Sequence, residues 1–146
     1  MTSRESAIEA LMNIIADAYP WKLGPVRRLK LWSDVPAPSR PACFLFEGGQ
    51  ETYSWSEGAV PKRVIEVKVF IYLSVKDPNS VGAALLNSVM DSLDAAFGLS
   101  GADRISGRNT LGGTVYNCRI DGKGLKDPGD LDGDALLIVP VKMILP

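Results

Sequence analysis

Apolar side chains recur at helical spacing between Ser3 and Tyr19, where Ile8, Leu11, Met12, Ile15 and Ala18 form one stripe ahead of Pro20. The spacing predicts an amphipathic helix with one face to bury, and Thr2 followed by Glu5 has the spacing of a capping box. A different period begins at "KRVIEVKVFIYLSV", where Ile65, Val67, Val69, Ile71, Leu73 and Val75 alternate with Glu66, Lys68, Tyr72 and Ser74. Period two predicts a long strand covering a core with one face and meeting water or a partner with the other. Ahead of it, "CFLFE" reads as a short buried strand. The proline-rich stretch from Trp21 to Pro41 predicts a short strand over Val26 to Leu31 and an irregular crossing.

A second helix is predicted from "DPNSVGAALLNSVMDSLDAAFG", with Asp77 as N-cap, Pro78 at the first helical position and Gly98 as the stop. Leu85, Leu86, Val89, Leu93 and Ala96 would face the sheet. "TVYNCRI" and the closing "ALLIVPVKMIL" read as strands, and Pro140 in the latter argues for an edge position or a bulge. Between "CFLFE" and the long strand lies "GGQETYSWSEGAVP", a glycine-bounded arm in which Tyr53 and Trp55 alternate and part of which reads as strand. The order of elements predicts a single α+β domain, an antiparallel sheet with both helices on one face and a protruding hairpin-like arm.

Composition narrows the functional classes. With 146 residues the chain has the size of one domain, and its net charge of -1 argues against a general nucleic-acid binder. No histidine is present, which removes the commonest general base, the His-dependent nucleophile pairs and the usual transition-metal ligand. Cys43 and Cys118 stand alone in apolar segments and read as free buried thiols of a reducing compartment. No apolar run has the length of a membrane span or of a signal-peptide core, so synthesis in the cytoplasm and no membrane partner are expected.

The segment "KDPGDLDGDA" places Asp130, Asp132 and Asp134 at every second position, as a calcium loop begins. A calcium hand also needs glycine at its sixth position and a bidentate glutamate at its twelfth, and the chain has Ala135 and Val141 there. Turn chemistry explains the Asp and Gly content instead, so the stretch from Asp127 to Asp134 reads as an acidic connection between strands, without a metal site. No phosphate loop, dinucleotide fingerprint or serine–lysine pair is present. Glu47, Glu51 and Glu57 are close in sequence, yet nothing in the pattern shows them converging as an acid and base pair. These observations point to a protein that is not an enzyme and uses no cofactor. Trp21 and Trp32 read as core residues, Tyr53 and Trp55 as interface residues, and Lys22, Arg27, Arg28 and Lys30 form the one basic stretch.

Taken in order, "WSDVPAPSRPACFLFEGGQE", the long strand with its following helix, "TLGGTVYNCRIDG" and "GDALLIVPVKMIL" resemble the tail terminator (tail completion) proteins of long-tailed bacteriophages, the lambda-type protein U group. The likeness covers nearly the whole chain, although the approach to the last strand is richer in aspartate than the family pattern. The resemblance implies a virion structural protein of the tail neck that forms a ring, expected to be hexameric, on the tail tube and offers the head-joining surface. Its implied partners are further copies of itself, the tail tube protein and a head–tail connector or stopper protein, with DNA passing through the ring without specific binding. Interface residues are then expected at Tyr53, Trp55, Arg27, Arg28, Lys30, Asp127, Asp130, Asp132 and Asp134, the aspartates lining a channel that repels phosphate. Two alternatives stay open: a neighbouring neck component, and a small-molecule-binding α+β domain.

Overall fold

The computed structural model describes residues 3–55 and 57–146. Helix α1 (Arg4–Ala18) is capped by Ser3, whose hydroxyl accepts a hydrogen bond from the Ser6 backbone N–H. Thr2 of the expected capping box lies outside the described residues. Ala7, Ile8, Leu11 and Ile15 are the buried stripe of this helix, as the periodicity predicts. The first strand, β1 (Leu23–Val26), is shorter and earlier than the expected 26–31, because the chain leaves the sheet at Arg27 to cross its outer face.

Strands β2 (Ala42–Phe46), β3 (Glu51–Ser54) and β4 (Lys62–Ser74) follow, then helix α2 (Gly82–Ala96) and the one-turn helix α3 (Ala102–Ser106). The chain closes with β5 (Asn117–Ile120), β6 (Leu125–Asp127) and β7 (Asp134–Ile144). The long strands β4 and β7 pair antiparallel along the centre from Val64↔Ile144 to Ser74↔Asp134. Along the outer side of β4, β2 pairs with residues 68–72 and β3 with residues 62–65. Along the outer side of β7, β5 and β6 occupy successive segments in the same way. The sheet is therefore antiparallel except at β1, which pairs parallel with β2 and makes it mixed.

Alternation on β4 and β7 decides the layering. Val67, Val69 and Ile71 from β4 and Leu137, Val139 and Val141 from β7 point to one face, where they pack with Leu11 and Ile15 of α1 and Leu86, Val89 and Leu93 of α2. Both long helices cover this face, the arrangement that buries both apolar stripes in one core. The opposite face carries a smaller core of Val35, Ala42, Phe44 and Tyr72 beneath the crossing segment. Tyr72 is therefore not a water-facing residue. Its ring lies 5.3 Å from that of Phe44, and its hydroxyl donates to the Lys30 carbonyl at 2.6 Å.

Two further expectations are corrected by tertiary contacts. Asp77 does not cap α2: its carboxylate accepts from the Asn79 N–H in a turn, and the helix begins only at Gly82. A Cβ at Gly82 would stand 1.8 Å from the Pro128 carbonyl oxygen, so the helix starts where a glycine lets it pass that backbone. Pro140 sits in the interior of the sheet, not at an edge. Its carbonyl accepts from the Asp121 N–H where the partner of β7 changes from β5 to β6, so its missing donor falls in that gap and the ladder to β4 continues.

Candidate functional site

The arm is a β-hairpin limb. Strand β3 pairs with the start of β4, Tyr53 opposite Arg63, and the connection returns through Pro61. Ser56 of this arm lies outside the described residues. The limb is anchored at its base, where Arg4 of α1 donates to both Glu51 carboxylate oxygens at 2.8 and 2.6 Å and to the Tyr53 hydroxyl at 2.9 Å. The Arg4 guanidinium holds the Glu51 carboxyl below the usual carboxylate range. The apolar surface of the limb is nonetheless open: Tyr53, anchored only through its hydroxyl, is 60% exposed, Trp55 74% and Val60 83%.

The basic stretch divides. Arg27 donates to both oxygens of Glu5 and both of Glu47, tying α1 to the end of β2, and Glu5 is pushed below its ordinary value by that contact. Glu47 and Glu51 thus each serve their own arginine. Arg28, Lys30 and Lys22 are exposed. Of the tryptophans, Trp21 packs on the main core and donates its indole N–H to the Ile15 carbonyl. Trp32 is instead an exposed residue of the crossing segment.

The aspartates also separate by role. Asp134 is bound at 2.6 Å by Arg40, whose side chain is 6% exposed, and lies 3.4 Å from Lys76, so it serves the fold and is unavailable to line a channel. The Arg40 hydrogen bond draws the Asp134 carboxyl below its ordinary value. Asp127 accepts from the Gly129 N–H and Asp132 from the Asp134 N–H, both two-residue turns of the kind Asp favours. Asp130 is exposed, and Leu131 beside it is fully so. Among the described residues no group of three potential ligands converges to hold a metal ion. The stretch is a turn connection between β6 and β7, and its paired spacing reflects turn geometry.

Burial pushes the thiols of Cys43 and Cys118 up to about 12, which keeps them protonated near neutral pH and poor as nucleophiles. A groove of about 500 Å³ lies on the uncovered half of the outer sheet face, next to the arm. Lys62, Arg119 and Lys142 line it with Glu66, Val64 and Ile144. Alternation along β4 marked Glu66 as outward-facing. Arg119 and Lys142 enter the same groove only through the pairing of β5 with β7, which sequence patterning does not supply. Arg40 was likewise unreadable in advance, since its partner is distant in the chain. No known family pattern and no curated protein sequence matches the chain.

Proposed function

We propose that this protein is a structural subunit that assembles into a ring on the end of a phage tail tube and presents the surface to which the head joins, its copies contacting one another, the tube protein and a connector. The observation that carries this reading is the arm, which presents the exposed Tyr53, Trp55 and Val60 together on one limb beside the two cores. Exposed aromatic surface on a rigidly anchored limb is the kind of patch that marks a protein–protein contact. The Arg4–Glu51–Tyr53 anchor supports it, because a limb fixed at its base loses less conformational freedom when it docks. The run of segments resembling tail terminators supplies the particular assembly.

Electron microscopy of the purified protein, alone and mixed with tail tubes, tests the proposal. Closed rings, free or at tube ends, are expected. Tyr53→Ala with Trp55→Ala should weaken ring or tube binding about tenfold or more while leaving the circular dichroism spectrum unchanged. A wild-type protein that stays monomeric and leaves tubes uncapped would refute the reading, and loss of the fold in the double variant would make these aromatics core residues.

A further inference from the structure

The two broad faces of the domain carry opposite charge. Residues 5–21 and 77–103, which hold all of α2 and all of α1 except its first residue, the Glu51-bound Arg4, include no lysine or arginine. Glu9, Asp17, Asp91 and Asp94 are all exposed there, and none is held in an ion pair among the described residues. On the other side of the sheet, the groove presents Lys62, Arg119 and Lys142 together with the carboxylates of Glu66 and Asp121, an excess of one positive charge. Of the cations only Lys142 has a carboxylate within ion-pair reach, Asp121 at 3.9 Å. Arg119 stands directly opposite Lys142 in the β5–β7 register, two cations facing each other across strands. Glu66 faces Lys142 from β4, so Lys62 and Arg119 are the groove cations that hold no ion pair among the described residues and are open to an anionic partner.

We infer that the acidic helix layer of one copy seats on the basic sheet groove of the next, so that the outer sheet face is covered by α2 of a neighbouring copy. The outward surface of α2 is built for close approach: Ala84, Ser88, Ser92 and Ala95 keep it low, and Asp91 lies among them. Because helix layer and groove are on opposite faces, two copies cannot satisfy both surfaces at once. Each contact leaves a free face for a third copy, which makes the association head-to-tail, closing as a ring where the rotation per contact allows and otherwise extending as a filament. A two-fold pairing of groove on groove would instead bring cations together. The inference rests on the assembly reading above and specifies the contact that builds it.

A charge-exchange experiment tests this contact on the full chain. One variant carries Lys62→Glu and Arg119→Glu, the other Asp91→Lys and Asp94→Lys. By sedimentation at physiological salt, each alone should self-associate about tenfold or more weakly than wild type. An equimolar mixture should recover assembly, because each altered face meets its complement on the other variant. The chain with all four substitutions should recover as well. Should the glutamates perturb the strands, Lys62→Gln with Arg119→Gln removes the charge alone and should also weaken association, in a salt-sensitive way. Wild type that assembles while the variants assemble equally well, or fail to rescue each other in the mixture, overturns this contact and leaves the ring reading standing. Wild type that never assembles overturns both. Tight binding of a duplex oligonucleotide at physiological salt, lost in the Lys62 and Arg119 variant, would assign the groove to nucleic acid instead.

Discussion

Truncating Arg40 to alanine probes the joint between the crossing segment and the sheet. Arg40 Nε donates to the Val35 carbonyl at 3.1 Å, Nη2 to that of Trp32 at 3.0 Å, and Nη1 to Asp134 at 2.6 Å and the Leu73 carbonyl at 3.4 Å. One side chain thus fixes the crossing segment, the end of β4 and the start of β7. Removing one partner of a buried ion pair costs roughly 3–5 kcal/mol, because the other charge and its acceptors are left unpaired. Asp134 keeps Lys76 at 3.4 Å and 22% of its side-chain surface in water, which places the loss at the lower end, about 3 kcal/mol. For a domain of this size that lowers Tm by about 10 °C. Urea unfolding followed by circular dichroism measures it, with an unchanged m-value showing that stability and not compactness has changed. The sign with pH follows from the depressed Asp134 carboxyl: its contribution is whole above the unfolded aspartate value near 3.8 and fades as pH falls through the still lower folded value. Wild type and Asp134→Asn should therefore differ by a constant amount above about pH 5 and converge as the solution is acidified below pH 4. A loss under about 1 kcal/mol for Arg40→Ala, or a gap to Asp134→Asn that widens in acid, would refute the reasoning.

Other consequences are as direct. Cys43 and Cys118, buried and with thiols raised to about 12, should resist a thiol reagent at pH 8 in the native protein and both react after unfolding in urea; fast native labelling would contradict their burial. Gly82→Ala drives a Cβ to 1.8 Å from the Pro128 oxygen and should cost about 1–3 kcal/mol despite the better helix propensity of alanine, whereas a stabilised variant would show that the β6–β7 connection yields. Calcium titrated into the isolated protein should give no saturable heat tighter than about 100 µM, since Asp134 already serves Arg40. A stoichiometric site lost in Asp130→Asn would overturn that assignment.

Periodicity alone located α1, β4 and the inward faces of α2 and β7, because each apolar residue there repeats at the interval its own backbone geometry imposes. It also marked Tyr53 and Trp55 as outward residues of an arm, from glycine boundaries and alternation. What local spacing could not carry was decided by contacts between distant segments. Whether Pro140 meant an edge depended on which neighbour β7 has at that point, and the change from β5 to β6 is set by a connection with no periodic signature. Asp77 has good capping chemistry, yet the start of α2 is dictated by the Pro128 carbonyl beside Gly82. Tyr72 sits in the polar phase of β4 and is buried only because the crossing segment folds over it. Asp134 looked like one of a row of free aspartates until Arg40, 94 residues away, came within hydrogen-bonding distance. Charge pairing and backbone approach are relations in space between segments far apart in the chain, and for that reason the tertiary structure decided them.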